Sequence, residues 1–369
     1  MIRQEEYISF LAKDYYDAFF ELGHAIAGHN GPHGHEDTPV RNTAHYLIIY
    51  SYLYKKEREE KYLELCKKFA DYLCDEQAKT VSGAIQCMVS DQFDHLNGLI
   101  GQAWVVDALL YYYEISKEER CLETARKIYL SQPYDKELHL WRRTELDGTD
   151  IGPDTTYNHQ VWFAACAQKL EDYYEDIEVH DQIVDFLTKG ADRDFRLYSD
   201  GLLYHSIGLP DKSIRRKLFI KTLLTPFAFL NPQKMDRKYI VKAYHIFDMY
   251  GFAMLKEKYG DLPLFSSDRF RRAVECALDI TAYDRRNGVP CALKKGSSFN
   301  VFGYSYNAPA FEYPYVAQAF GTVDVSLNDR IFETQKKLMY DEQTKMFSRR
   351  NPDGETWNAK TYEIVRFLG

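Results

Sequence analysis

Apolar and polar positions along the chain follow two kinds of helical pattern. One kind is amphipathic with a single charged face, whereas the other is apolar on nearly every side and must be buried all round. The two kinds alternate strictly, which predicts six helices of each kind. The amphipathic helices are predicted at 5–20, 61–74, 118–130, 179–189, 268–281 and 328–340, and the apolar helices at 40–54, 98–113, 157–170, 239–255, 308–320 and 356–368.

The links between the predicted helices are also regular. Links from an apolar to an amphipathic helix are short, whereas those in the other direction, such as 75–97 and 131–156, are longer than is usual in compact domains. Turn signals at Asp200–Gly201 and at Asp353–Gly354 predict small β-hairpins within such links. The segment 212–230 predicts one additional helical insertion.

This regularity predicts an all-α fold, the closed (α/α)6 toroid. Each of its six hairpins pairs an outer with an inner helix, and every long link lies on one rim. An open solenoid is the competing arrangement, but neither end of the chain shows a capping repeat with a polar outer face. Because a closed ring can hold 369 residues, we expect residues 1–369 to form a single domain.

Composition narrows the possible partners and compartments. The net charge of −8 and the lack of a stripe of Lys and Arg argue against nucleic-acid binding. No run is long enough for a membrane span and the start lacks the pattern of a secretory signal, so we expect a cytoplasmic protein. The seven cysteines form no CxxC pair, which is typical of buried thiols in a reducing compartment and argues against a zinc–thiolate site.

Polar residues cluster where the predicted inner helices begin. If the ring closes, these starts converge on one central pocket, which makes them candidates for a shared site. Asp94 and Asp154 precede neighbouring inner helices and could form the carboxylate pair of a glycosidic reaction, although capping the helix N-termini is the structural alternative. Asn97, Asn158 and His159 stand beside them as candidate substrate-binding residues.

Further candidates lie at the other inner helices. Arg41 could bind a substrate carboxylate through its planar guanidinium, and His45 lies one turn further along the same helix. Tyr306 and Trp357 could stack on a sugar ring, or pack in the core, and Glu312 is an acid within the first turns of the fifth inner helix.

No cofactor or metal ion is expected. The loop HAIAGHNGPHGHED brings His24, His29, His33 and His35 close together, but their spacing matches no metal-ligand motif and loop histidines are common. The phosphate-binding patterns GxxxxGK[ST] and GxGxxG do not occur, and neither does the GxSxG of serine hydrolases.

The stretches FDHLNGLIGQAWVVDALL and DGTDIGPDTTYNHQVWFAA resemble the second and third inner-helix starts of the six-hairpin glycosidase superfamily, and most closely those of its unsaturated glucuronyl and rhamnogalacturonyl hydrolases. The resemblance implies a glycoside hydrolase acting on a small saccharide. Asp154 would be the proton donor and Asp94 its partner, and water would add across the double bond of an unsaturated uronic acid. Asp154→Asn would then lower kcat by about 10²–10⁴.

Two alternatives stay open at this point. N-acylglucosamine 2-epimerases and several polysaccharide lyases share the toroid and transfer protons through histidine or tyrosine, and His45, His159, His245 and Tyr306 would suit that chemistry. A glycan-binding toroid without catalytic activity is the second alternative. Clustered acids and histidines favour an enzyme, because burial in a shared cavity shifts their pKa values without benefit to a binding protein.

Overall fold

We analysed the protein as a computed structural model, which describes residues 4–30, 35–89, 93–208, 232–279, 308–321, 323–349 and 353–369. Nearly all of the regular structure is helical. The helices are Gln4–Leu22 (α1), Val40–Glu57 (α2), Glu60–Ala78 (α3), Gly98–Ser116 (α4), Glu119–Leu130 (α5), Tyr157–Ala167 (α6), Val179–Asp185 (α7), Pro232–Tyr259 (α8), Pro263–Ser266 (α9), Asp268–Leu278 (α10), Pro309–Phe320 (α11), Val325–Met339 (α12), Gly354–Ala359 (α13) and Tyr362–Leu368 (α14).

The inner helices form a closed ring. Going round it, α2, α4, α6, α8, α11 and α14 each pack against the next, and α14 packs against α2 to complete the circle. The outer helices α1, α3, α5, α10 and α12 pack around this ring, and α7 continues through a π-helical turn at Phe186–Ala191. The closed toroid predicted from the sequence is therefore confirmed, and the open solenoid is wrong.

Burial explains the two kinds of helix. Every residue of α4 from Gly98 to Tyr113 is buried, whereas α3 buries one face, with Tyr62, Leu65, Phe69 and Leu73 on it. An inner helix has neighbours on all sides, so apolar residues are favoured on all of its faces.

The strands lie within the long links. His29–Asn30 (β1) pairs antiparallel with His35–Glu36 (β2). Tyr134–Asp135 (β3), Leu140–Thr144 (β4) and Asp150–Pro153 (β5) form a three-stranded antiparallel sheet between α5 and α6.

The turn predicted at Asp200–Gly201 is present. Leu197 and Leu203 face each other across it as an antiparallel bridge, and Gly201 has a φ of 86°, a conformation that favours glycine.

Two sequence predictions fail near the C-terminus. Asp353 does not belong to a hairpin turn, because its carboxylate accepts the Thr356 N–H and begins helix α13. The last inner helix, predicted as one element at 356–368, is divided into α13 and α14 at Lys360–Thr361. The insertion predicted at 212–230 lies outside the described residues. None of the helices in the described ranges has the length and apolar content that a membrane crossing requires.

Candidate active site

Asp94 and Asp154 meet at the start of α4. Asp94 Oδ1 accepts a hydrogen bond from the Gly98 N–H at 2.7 Å, and Asp154 Oδ2 accepts one from the Leu99 N–H at 3.0 Å. The first N–H groups of a helix have no partner within the helix and carry partial positive charge, so they attract carboxylates. The structure thus brings the two predicted acids together, and both serve as acceptors for the same helix start.

Each carboxylate also has a cationic or polar partner of its own. Arg143 Nη1 on β4 lies 2.7 Å from Asp94 Oδ2, and Asp154 Oδ1 accepts the Thr156 N–H at 2.9 Å. Burial acts to raise the pKa of Asp154, but His159, Arg143 and the Leu99 N–H together hold that pKa below its ordinary value. A carboxyl that stays ionised is poorly suited to donate a proton, so this geometry does not favour Asp154 as the general acid.

Asp154 and His159 form a hydrogen-bonded pair. His159 Nδ1 lies 2.8 Å from Asp154 Oδ2. Because an ionised carboxylate can only accept, Nδ1 carries the proton and Nε2 is left with its lone pair. The side chain of His159 is 21% exposed, and its Nε2 has no hydrogen-bond partner in the described part of the chain. This nitrogen can therefore take a proton from a bound molecule.

His205 is a second histidine beside this pair, and the sequence analysis missed it. Burial, followed by the nearby His159, lowers the pKa of His205 to about 4. Its Nδ1 has no hydrogen-bond partner among the described residues, and its ring lies 4.9 Å from that of Tyr244. The only sequence signal was its position four residues after Gly201 of the predicted hairpin turn.

Arg41 is engaged within the protein. It is 1% exposed, and its Nη2 lies 2.8 Å from Asp37 Oδ2. The same nitrogen donates to the His29 carbonyl and to Thr356 Oγ1, each at 2.7 Å. Its guanidinium thus links α2 to the rim loop and to α13, and binding of a substrate carboxylate by Arg41 stays a prediction.

His45 lies deeper in the ring, between two aromatic side chains. Its ring stacks on Tyr362 at 4.1 Å and meets the edge of Trp104 at 5.1 Å. Neither ring nitrogen has a hydrogen-bond partner among the described residues. Burial, then the charges of Arg41 and Lys360, holds the pKa of His45 well below its ordinary value, so the imidazole is neutral.

Two carboxyl groups lie near a buried lysine of the last inner segment. Lys360 Nζ lies 2.7 Å from Glu363 Oε1 and 4.0 Å from Glu312 Oε1. Burial and then the neighbouring Glu363 raise the pKa of Glu312 well above its ordinary value. Asp248 on α8 is also fully buried, and burial raises its pKa well above the usual range. Glu312 was predicted from the sequence, whereas Asp248 was not, because it is a lone acid within the apolar run HIFDMYGF.

Two other predicted residues have structural roles. Trp357 is fully buried and packs against Phe311 and Phe347, with ring separations of 5.9 and 6.2 Å. Such packing favours the core role that was the alternative to sugar stacking. His245 Nε2 lies 3.0 Å from the Ala273 carbonyl of α10, which makes it a link between the inner and outer helices.

The remaining candidates are distributed as follows. Asn158 is 1% exposed and its side-chain amide has no hydrogen-bond partner among the described residues. Asn97 directly precedes α4 in a left-handed conformation, with a φ of 58°. Tyr306 and His33 lie outside the described residues. Where the structure describes the chain, no three His, Cys, Asp or Glu side chains are grouped closely enough to hold a metal ion.

Comparison with known proteins shows a similarity in sequence over nearly the whole chain. Archaeal glycosylation protein Q of Haloferax volcanii is 29% identical over 356 residues, which cover 93% of this chain and 92% of that protein. No protein-family model matches the chain.

Solved structures with the same fold include sugar epimerases and an isomerase. Cellobiose 2-epimerase from Bacillus thermoamylovorans is similar over 95% of both chains, with a TM-score of 0.60 and 12% identity. The cellobiose 2-epimerase of Spirochaeta thermophila covers 99% of this chain and 97% of its own, with a TM-score of 0.59 and 12% identity. A D-mannose isomerase covers 96% of this chain and 97% of its own, with a TM-score of 0.59 and 11% identity.

At such identities the likeness shows the fold alone. The chain therefore has the six-hairpin toroid fold found in sugar epimerases and isomerases, which confirms the predicted fold class.

Proposed function

We propose that this protein is a sugar epimerase or isomerase in which His159, oriented by Asp154, moves the proton. The observation that carries the proposal is the His159–Asp154 pair, with 2.8 Å between Nδ1 and Oδ2 and a partly exposed imidazole. Asp154 fixes the tautomer, so the exposed nitrogen is the basic one.

The chemistry needs a base and a polar environment for the negative charge that follows. Epimerisation or isomerisation removes a proton from the carbon next to a carbonyl group and returns it to a carbon of the same sugar. A neutral imidazole can take up that proton through the ring nitrogen that carries the lone pair. Hydrogen-bond donors then stabilise the oxygen on which charge develops. His205 interacts with His159 and is neutral, because burial lowers its pKa to about 4, so it is a candidate second proton carrier.

The comparisons support a saccharide as substrate. The solved structures with this fold are named cellobiose 2-epimerase and D-mannose isomerase. The relative in sequence is named a glycosylation protein, which also supports a saccharide as the substrate class. These names support the epimerase alternative better than hydrolysis.

Hydrolysis by Asp94 and Asp154 is less well supported for a geometric reason. A glycosidic pair needs one carboxyl that holds a proton and releases it to the leaving oxygen. Both carboxylates here accept helix N–H groups, and Asp154 also binds His159. We therefore assign Asp154 to positioning His159 and to the start of α4, and Asp94 to the same helix start.

The test is proton exchange in deuterated water. The protein is incubated with D-mannose, D-glucose, cellobiose and D-glucuronic acid, and NMR follows deuterium entering the carbon next to the carbonyl. We expect exchange with at least one of these sugars. His159→Gln should lower the rate of that exchange by about 10²–10⁴, the usual contribution of a positioned base. Asp154→Asn should lower the rate as well, because a neutral amide no longer stabilises the positive charge that His159 gains when Nε2 takes up the proton.

The chain offers a matched control in a second His–Asp pair. His139 Nδ1 also lies 2.8 Å from a carboxylate, Asp185 Oδ2, but this pair joins the three-stranded sheet to the outer helix α7. His139→Gln should leave exchange unchanged. Release of a saccharide unit without deuterium exchange would favour the hydrolase, and full exchange in His159→Gln would exclude His159 as the base.

A further inference from the structure

Four of the inner helices each carry a buried polar side chain without a hydrogen-bond partner among the described residues. His45 of α2, Asn158 of α6, Asp248 of α8 and Glu312 of α11 are each at most 1% exposed. None of their side-chain nitrogen or oxygen atoms forms a hydrogen bond in the described part of the chain. Leaving one such group unpaired costs about 1–3 kcal/mol. Their accumulation on four helices that share one ring indicates that a polar ligand completes them.

Asp248 is the most isolated of these groups. Both of its carboxyl oxygens lack a partner among the described residues, and burial is the cause of its raised pKa, with no cation beside it. An ionised carboxylate in such a position would be far more costly than a neutral one. Asp248 therefore differs from Asp107, a buried acid of α4 that pairs with Arg366.

The position of Asp248 connects it to the proposed active site. It lies four residues after Tyr244, so the two share one face of α8. The ring of Tyr244 contacts His205, whose pKa is in turn affected by His159 and Asp154. Asp248 thus lies one helical turn along α8 from Tyr244, the residue whose ring contacts His205.

Glu312 lies on the next inner helix, α11, and its surroundings differ from those of Asp248. Negative charges on Glu312 and Asp248 repel each other, so simultaneous ionisation of the two carboxyl groups is disfavoured. The Lys360 ammonium, 4.0 Å away, and the Ala308 N–H are near enough to favour a charge on Glu312, but neither forms a hydrogen bond with it. Of the two acids, Asp248 is the one whose charge no group in the described part of the chain stabilises.

We propose that the Asp248 carboxyl is protonated and donates a hydrogen bond to an oxygen atom of the sugar held at the centre of the ring. The inference rests on the proposed function for the identity of the ligand. A neutral carboxyl can donate through its O–H and accept through its C=O, which suits a sugar hydroxyl or carbonyl group. On a sugar that His159 deprotonates, such a donor would also stabilise the oxygen that gains charge.

The first test uses the full-length protein without any sugar. Infrared difference spectra at pH 7, wild type minus Asp248→Asn, should contain the carbonyl band of a protonated carboxyl. A difference spectrum with carboxylate bands alone would overturn the proposal. Because the wild-type signal is read directly, the result does not depend on any reaction.

Thermal unfolding gives a second test that also needs no sugar. Asp248→Leu should raise Tm, because an apolar side chain of similar shape removes an unpaired buried polar group. Asp107→Leu is the matched control, since it is also buried on an inner helix but leaves Arg366 without its partner, and it should lower Tm. A lower Tm in Asp248→Leu would mean that the carboxyl is structural, which overturns the proposal.

The last test adds D-mannose, D-glucose, cellobiose or D-glucuronic acid to the same proteins. A sugar that raises the Tm of the wild type should shift the protonated carboxyl band. It should bind Asp248→Leu about tenfold more weakly, the effect of one lost hydrogen bond to a buried group. Asp248→Asn keeps a donor and should bind within about threefold of wild type. A band that binding leaves unmoved overturns the proposal, whereas binding with a shifted band but no deuterium exchange contradicts only the proposed function.

Discussion

His205 ties the stability of the protein to pH at the level of a single residue. Burial lowers its pKa from 6.5 to about 4 in the folded protein. Between these values the unfolded chain binds a proton at this residue and the folded chain does not, so acid favours unfolding. We therefore predict that Tm falls as the pH is lowered from about 6.5 to about 4. His45 contributes in the same direction, because burial also lowers its pKa.

The measurement is a series of thermal unfolding curves between pH 7 and pH 4, for the wild type and His205→Gln. The variant cannot take up this proton, so its Tm should fall less over the same interval. The exposed His180, whose side chain is 63% accessible, gives the control. His180→Gln should follow the wild type, and equal pH slopes in all three proteins would contradict the prediction.

At this scale the sequence located polar residues but not their partners. It identified Asp94, Asp154 and His159 because all three precede or begin apolar helices. It could not show that Asp154 is held by the Leu99 N–H from another helix, since that contact spans 55 positions. Asp248 was missed because one acid in an apolar run gives no periodic signal, although a buried charge is rare enough to have marked it.

At the start of α4, a glycine allows the helix backbone to approach His159 and Asp154 closely. Gly98 has a φ of 61°, and a Cβ there would lie 2.4 Å from His159 Nδ1 and 2.6 Å from Asp154 Oδ2. We predict that Gly98→Ala both destabilises the protein and weakens proton exchange. The left-handed backbone alone costs about 1–2 kcal/mol for an L-residue, and the clash displaces the imidazole from its carboxylate.

Gly148 separates these two effects. It also has a positive φ, 92°, but nothing lies within 4 Å of the position where its Cβ would be. Gly148→Ala should therefore lose only the stability that backbone strain costs, with exchange unchanged. Unfolding in denaturant and the deuterium exchange assay provide the two readouts. If Gly98→Ala lowers neither stability nor exchange rate more than Gly148→Ala does, the close contact with His159 does not contribute to function.

The sequence pattern predicted which segments form helices, but it did not predict where the C-terminal helices begin and end. The alternation of amphipathic and apolar patterns predicted every inner and outer helix of the ring. It failed at Asp353 because the turn signal of Asp–Gly is also the signal of a helix N-cap, and the Thr356 N–H decides between them. The same pattern predicted α13 and α14 as one helix, because the break at Lys360–Thr361 contains no glycine or proline that would indicate a helix end.

At the scale of the whole molecule, the ring depends on contacts between the two ends of the sequence. Helix α14 at the C-terminal end packs against α11 and against α2, so it closes the circle. A repeating pattern predicts neighbours along the chain, but closure requires this last contact between distant segments. The sequence favoured the closed form because no capping repeat was found, and the packing of α14 confirms it.

An ion pair joins the closing helix α14 to α4, which lies two positions further round the ring. Arg366 on α14 donates to Asp107 on α4, and the side chain of Asp107 is 2% exposed while that of Arg366 is 13% exposed. Burial acts to lower the pKa of Arg366, but Asp107 and the nearby Tyr250 keep it well above the ordinary value, so the guanidinium is charged. Removing either partner leaves a buried charge uncompensated.

We predict that Arg366→Met lowers the free energy of unfolding by about 3–5 kcal/mol, the usual loss when a buried pair is broken from one side. The double variant Asp107→Leu with Arg366→Met should recover most of that loss, because no unpaired charge remains and Met keeps most of the volume. Denaturant unfolding measured on the wild type, both single variants and the double variant gives the coupling energy directly. The exposed pair of Arg271 and Glu275, 2.8 Å apart on α10, is the control, and its removal should change stability by less than about 1 kcal/mol. If the double variant is as unstable as the sum of the single ones, the two side chains stabilise the ring independently and the pair does not hold it closed.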